Sequence, residues 1–475
     1  MYLTDDEGAP TVTLRFLGAA GTVTGSKFLL ETEGREQRRV LLDCGLFQGL
    51  KGLRLRNWEP PPFDPVTLDA VVLSHAHLDH SGALPLLVRG GFAGPIHCTP
   101  GTADLLEPLL LDSAHLQEED AERANRHGYS RHQPALPLYT VEDARRVLAL
   151  LRTHPYGTPF APCEGLEVTF RRAGHILGSA TVDVAWGRGD AARHLVYSGD
   201  LGRPGRPILR DPEAVPGADV LLLESTYGDR VHATWPEEKL ARVITRTAHQ
   251  GGAVVIPVFA VGRAQELLWT LHRLRGEQRL PHVPVFLDSP MAQDVTELYC
   301  RHPEDHDVDM RRLTEQARCP LCGSEHHWVR TAEESQALLA RTGPRVILAG
   351  SGMATGGRVL HHLKHLLPDA RNTVVLAGYQ AAGTRGRALQ DGAATVRIHG
   401  EDVPVRARVE TVDGLSAHAD REELLGWLRT FPRPPRETWL VHGEPGAAEA
   451  LARSIRERMG WRVRVARDGE RVTLR

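Results

Sequence analysis

The chain has 475 residues, 41% of them hydrophobic, with 57 basic against 60 acidic side chains and a net charge of −3. That length exceeds one ordinary domain, and the apolar content excludes a disordered or low-complexity protein. The small net charge means that any basic groove for a polyanion must be local. No apolar stretch approaches the ~20 residues that cross a bilayer. The opening MYLTDDEGAP lacks the basic and apolar regions of a signal peptide, and the six scattered cysteines are not a secreted disulfide framework. The expectation is a cytoplasmic protein with no membrane partner.

In chain order, strands are predicted at Thr11 to Leu17, Lys27 to Glu31 and in RRVLLDCG from Arg38, with helices at Gly101 to Arg126 and Val141 to Leu151. Short apolar runs ending in Gly, Asp or Ser recur down to HLVYSGDLG near residue 200. After DVLLLESTYGDR (Asp219 to Arg230) the pattern becomes strand (GAVVIPVFA), helix (GRAQELLWTLHRLRG), strand (VPVFLDSP), strand (PRVILAGSG), helix (GGRVLHHLKHLL), strand (NTVVLAGYQ). That alternation predicts parallel βαβ units covered on both faces. From about Thr395 strands return, then the helix REELLGWLRTF and the strand and turn ETWLVHGEPG.

SHAHLDHSG, Ser74 to Gly82, places His75, His77, Asp79 and His80 directly after the apolar run Ala70 to Leu73. Four such groups at the end of a buried strand are costly to desolvate unless a metal compensates. In an extended backbone His75 and His77 share a side, whereas Asp79 and His80 fall where HSGALPLLVRG opens a helix and face elsewhere. Two ions are therefore expected, with further ligands from distant strands. Three more sites repeat the pattern of strand, ligand, then small residues: His175 in AGHILGSA, Asp200 in VYSGDLG, whose carboxylate can bridge two ions, and His442 in WLVHGEPG. Asp43 in VLLDCG has the same setting and would orient a ligand or the attacking water. Nitrogen and carboxylate donors without thiolate suit zinc, with manganese or iron as alternatives.

HAHLDH, followed by GHILGSA and YSGD, resembles the metallo-β-lactamase superfamily, specifically its β-CASP nuclease branch, over nearly the whole chain. The resemblance implies an α/β fold: an αββα sandwich of two packed sheets carrying an inserted parallel α/β (β-CASP) domain. It implies one zinc held by His75, His77 and His175, a second by Asp79, His80 and His442, and Asp200 as the bridge. Glu224 in LLLESTYGD and His418 in GLSAHAD match further family motifs and would form a couple in which the histidine protonates the leaving oxygen. Asp79 and Asp200 would orient the nucleophile. Metal residues fall at 75 to 200 and again at 442, so a domain is inserted between them. The expected boundaries are 1–225 and 413–475 for the metal-bearing domain and 226–412 for the insert, with the active site in the cleft between them.

VILAGSGMATGGRVL (Val346 to Leu360) runs from a strand through a glycine-rich turn into a helix, so its backbone N–H groups are expected to face an RNA phosphate. Ser351, Gly352 and Met353 are the expected contacts, with Arg385 and Arg387 of GTRGRAL adding charge; Ser416 of GLSAHAD is also counted with the substrate. A dinucleotide fold is disfavoured, because VVLAGYQ supplies Gly378 and Tyr379 where an acid would be needed. Cys319 and Cys322 in RCPLCGSEHHW form half a zinc knuckle with Cys300, His302, His326 and His327 as the nearby donors, and a bound zinc there is not expected. His361, His362 and His365 are taken as helix surface.

The expected activity is zinc-dependent hydrolysis of single-stranded RNA by two-metal-activated hydroxide. The rivals are a small-ester or thioester hydrolase, a 5′ exonuclease like ribonuclease J, a DNA-repair nuclease like Artemis, and an inactive RNA-binding scaffold. His442 favours RNA over DNA, since the DNA-repair branch usually has valine there. The chain ends at Arg475, shortly after the last motif, which favours internal cutting. A homodimer is left open.

Overall fold

The computed structural model describes residues 11–33, 37–128, 130, 132–234, 236–316, 319–323 and 326–474. The chain folds as two compact units, one made of Met1–Pro204, Asp211–Val231 and His418–Arg475, the other of Gly205–Arg210 and His232–Ala417.

The first unit contains two seven-stranded mixed sheets. In one, the strand order is Arg471–Leu474, Val12–Phe16, Phe28–Thr32, Arg39–Leu42, Ala70–Val72, Ile96–Cys98, Leu151–Thr153. The other runs Val463–Val465, Glu437–Val441, Val220–Glu224, Arg193–Tyr197, Ala180–Trp186, Leu166–Arg172, Phe160–Cys163. Alternation along the strands sets the packing. Val12, Leu14 and Phe16 of the first sheet and Leu166, Val168 and Phe170 of the second belong to one buried core, where the Phe16 and Trp439 rings lie 5.4 Å apart. The opposite parity of the second sheet, Val196, Leu221, Leu223 and Leu440, packs on helices Arg421–Leu428 and Pro445–Met459 through Leu424, Leu425, Leu451 and Ile455. Asp420 and Glu423 form a capping box at the start of the first of these helices.

The second unit has a six-stranded, wholly parallel sheet, ordered His326–Trp328, Val285–Asp288, Arg345–Ala349, Ala253–Pro257, Thr373–Leu376, Arg408–Thr411. The buried runs AVVIP and RVILA are the continuous apolar strands that a sheet covered on both faces demands. The βαβ units expected from sequence are present.

Two local readings are corrected. The helix after the glycine-rich turn begins only at Val359, because Ser351 Oγ accepts from the N–H groups of Thr355 (3.0 Å) and Gly356 (3.4 Å) and holds that stretch as a loop. His362, taken as helix surface, is fully buried with its Nε2 2.6 Å from Asp288 Oδ2; Asp288 also accepts from Ser335 Oγ (2.5 Å) and Arg358 Nη1 (2.7 Å). The acidic companion came from another strand and was invisible to local spacing.

Candidate metal centre

The polar residues of the site sit at strand ends of the first unit, where the sheets stop supplying backbone partners. His75 and His77 follow strand Ala70–Val72, and Asp79 and His80 lie in a one-turn helix, Leu78–Ser81, that begins earlier than the sequence suggested. His175 follows Leu166–Arg172, Asp200 follows Arg193–Tyr197, Glu224 ends Val220–Glu224, and His442 follows Glu437–Val441. Asp43 and His442 have φ of +56° and +47°, a left-handed backbone that non-glycine residues adopt at a cost and that turns each side chain off its strand.

Two ligand groups result. The donor atoms of His75, His77, His175 and Asp200 lie within 4.8 Å of one another, as do those of Asp79, His80 and His442. Asp200 faces both: Oδ2 is 3.4 Å from His75 Nε2 and 3.6 Å from His175 Nε2, while Oδ1 is 3.3 Å from both His80 Nε2 and His442 Nδ1. Ring nitrogens face each other at 3.1 Å (His75 Nε2 and His77 Nδ1), 3.3 Å (His175 Nε2 and His77 Nδ1) and 3.2 Å (His80 and His442 Nε2). Asp200 Oδ1 is buried and accepts no hydrogen bond. Nitrogens converging at such spacing, around an orphaned carboxylate oxygen, fit a divalent cation in each group.

The proton inventory agrees for five of the ligand candidates. Burial, together with the neighbouring imidazoles, pushes His75 and His175 below the ordinary histidine range and His77 down to about 3, so these rings are neutral. Burial alone would raise the carboxyls of Asp79 and Asp200, but histidine neighbours hold both below the ordinary range and therefore ionised. His80 is the exception: burial works against its imidazolium, yet Asp200 and Asp43 hold its pKa above the ordinary histidine range. Neutral imidazoles and ionised carboxylates are the ligand forms, so an ion there would displace that proton.

Asp43 was expected from sequence to orient a ligand or the attacking water; the hydroxyl residues that work beside it were missed. Asp43 is buried; Oδ1 accepts from the Ser74 N–H, and Oδ2 lies 2.7 Å from Ser74 Oγ, Tyr197 Oη and His80 Nδ1. Ser74 Oγ is in turn 3.0 Å from His75 Nδ1, and Thr226 Oγ1 is 3.1 Å from His442 Nδ1. Ser74, Tyr197 and Thr226 all lie inside motifs already singled out, one to three residues from residues already named, and that adjacency was the available signal.

Glu224 and His418 are brought together. His418 Nδ1 is 3.3 Å from Glu224 Oε1 and 3.9 Å from Asp200 Oδ2, and Glu224 Oε1 also accepts from the Leu201 N–H at 2.7 Å. Burial works against the imidazolium of His418, yet Glu224 and Asp200 hold its pKa up to about 9. The proposed RNA contacts form a separate set in the second unit. Arg385 donates Nε to the Arg397 carbonyl (2.6 Å) and Nη1 to that of Thr355 (3.1 Å), Gly386 N–H donates to the Met353 carbonyl (3.0 Å), and Gln380 Nε2 donates to that of Gly352 (3.2 Å). Arg387 pairs with Asp391. Ser416 is buried two residues before His418.

Comparison with known proteins decides the family. Residues 38–257 match the beta-lactamase superfamily domain, 264–389 the Beta-Casp domain, and 402–466 the Zn-dependent metallo-hydrolase RNA specificity domain. Ribonuclease TTHA0252 of Thermus thermophilus is 44% identical over 96% of this chain and 99% of its own length. The chain belongs to the β-CASP metallo-β-lactamases. Transcription termination factor FttA of Methanocaldococcus jannaschii is 33% identical over 94% of this chain and 69% of that protein. A solved protein of unknown function from Enterococcus faecalis V583 shares the fold at 13% identity, with a TM-score of 0.52 over 98% of this chain and all of the other. This β-CASP protein is thus a metal-dependent hydrolase, with the metallo-β-lactamase fold and the inserted domain expected from its motifs. No helix among the described residues is long and apolar enough to cross a membrane.

Proposed function

We propose that the chain is a cytoplasmic, zinc-dependent ribonuclease that cuts single-stranded RNA internally, manganese being the alternative ion. The observation that carries this reading is the carboxylate of Asp200, shared between two ligand groups with the His418–Glu224 couple beside it. The 44% identity to a protein named ribonuclease supports RNA as the substrate.

In this reading His75, His77 and His175 hold one ion, Asp79, His80 and His442 the other, and Asp200 both. When bound, such a pair supplies hydroxide at neutral pH and neutralises charge on the phosphoryl oxygens. The chain's own residues do the rest. Asp79 and Asp200 orient the attacking oxygen. His418, held as the imidazolium by Glu224, gives its proton to the departing sugar oxygen. Asp43 touches no reacting atom and acts as a positioning residue. Ser351, Gly352 and Met353, braced by Arg385, are assigned with Ser416 to the RNA chain.

The test is uniformly labelled single-stranded RNA incubated with the purified protein, beside a His77→Ala control and DNA of the same sequence. Cleavage of RNA that the control loses is expected, as internal fragments. Nucleotides released progressively from a 5′ end would replace internal cutting with exonuclease action. If protein carrying two ions cut neither polymer, the nuclease reading would fall.

A further inference from the structure

The inserted unit carries a second group of donors that the catalytic reading leaves unused. Cys300 lies on helix Pro290–Arg301, and Cys319 and Cys322 flank a tight turn before strand His326–Trp328. The three sulfurs lie within 4.8 Å of one another. Cys300 and Cys319 stand in bonding contact, as in a disulfide, and Cys322 Sγ is 3.6 Å from Cys300 Sγ. No described histidine joins the group.

Two uses compete for such sulfurs: a Cys300–Cys319 disulfide beside a spectator thiol, or three thiolates on one cation. We propose the second, a structural zinc site formed by Cys300, Cys319 and Cys322. Three observations favour it. First, a disulfide leaves the convergence of Cys322 unexplained, whereas a metal uses all three sulfurs. Second, the Cα atoms of Cys300 and Cys319 are 6.9 Å apart, just beyond the usual disulfide span of about 4.4–6.8 Å. Third, Cys319-Pro-Leu-Cys322-Gly closes through the Cys322 N–H to the Cys319 carbonyl at 3.2 Å, a turn that offers both its sulfurs to one point. Sulfurs about 2.3 Å from a tetrahedral zinc are about 3.8 Å apart, which the Cys300–Cys322 separation approaches. The fourth position falls to solvent, since Cys322 is exposed.

Sequence alone names Cys300 among the nearby donors but does not show a full four-ligand set, so it does not lead one to expect zinc; the structure brings Cys300, 19 residues before Cys319 on a helix, to the pair. Bound there, the ion ties the segment between helix Pro290–Arg301 and edge strand His326–Trp328 to that helix. Its binding energy becomes folding energy for this corner of the insert.

The experiment loads the whole protein, purified with a thiol reductant, with Co2+ in place of zinc and records its near-ultraviolet spectrum. The catalytic groups offer only nitrogen and oxygen donors, so a thiolate-to-cobalt charge-transfer band reports the cysteine group alone. The band is expected in the wild type and in His77→Ala, and is expected to be lost in Cys322→Ser. Zinc analysis should find one fewer equivalent in Cys322→Ser than in the wild type. A wild-type protein without the band, or with a Cys300–Cys319 disulfide by mass spectrometry and no metal beyond the catalytic ions, would overturn the proposal while leaving the ribonuclease reading untouched.

Discussion

Asp43 Oδ2 lies 2.7 Å from His80 Nδ1 and, through the Ser74 hydroxyl, connects to His75 Nδ1 at 3.0 Å. One buried carboxylate thereby orients a histidine in each ligand group. Accepting at Oδ2, it fixes the proton of both rings on Nδ1 and turns both Nε2 lone pairs toward the ligand groups.

Asp43→Asn is therefore expected to weaken both ions together, by about 10–100-fold in affinity, with the fold intact. A chelator-competition titration read against circular dichroism checks this. Loss at one ion alone would show that the Ser74 relay carries no orientation.

His418→Ala is expected to lower kcat about 10²–10⁴-fold with two ions still bound, because it removes a proton donor and no ligand. Glu224→Gln should act in the same direction through His418. Steady-state kinetics beside metal analysis decides it, and loss of metal in His418→Ala would make the residue a ligand instead.

Backbone proximity is as demanding as the ligands. A Cβ at Gly45 would overlap the carbonyl of Asp79, which already accepts from the Ser26 N–H at 2.9 Å. Gly45→Ala should push Asp79 out of its group and destabilise the protein by about 1–3 kcal/mol. Chemical denaturation and metal content measure the two effects.

The insert contains a pH-sensitive brace. Burial raises the carboxyl of Asp288, but hydrogen bonds from His362, Ser335 and Arg358 overcome that and hold it below the ordinary carboxylate range. A depressed folded-state pKa stabilises fully above the unfolded value and loses that stability as pH falls through the folded value. Asp288→Asn should cost about 3–5 kcal/mol at neutral pH, as for a broken buried pair. The difference from wild type should vanish at pH values below the ordinary carboxylate range. Urea denaturation of both proteins across that pH range tests it.

The residues of the two donor groups were legible from the dense SHAHLDHSG motif and from single polar residues that follow a strand-like run, as in VYSGDLG and WLVHGEPG. The strands themselves were legible from alternation, as at Leu166, Val168 and Phe170. What stayed hidden was contact across sequence. Asp288 meets His362 from 74 residues away, and Tyr197 reaches Asp43 from 154. In the glycine-rich turn the N–H groups of Thr355 and Gly356 go to the Ser351 hydroxyl, a local competitor for helix that strand-to-helix patterns do not reveal.

Strand Glu437–Val441, which carries His442 at its end, pairs in parallel with Val220–Glu224 and arrives more than two hundred residues after it. A ribosome making this chain has therefore released six of the seven ligand residues long before the last emerges. Until then the group of Asp79 and His80 lacks its third donor, His442. The second donor group is therefore completed only after the whole inserted unit has been made.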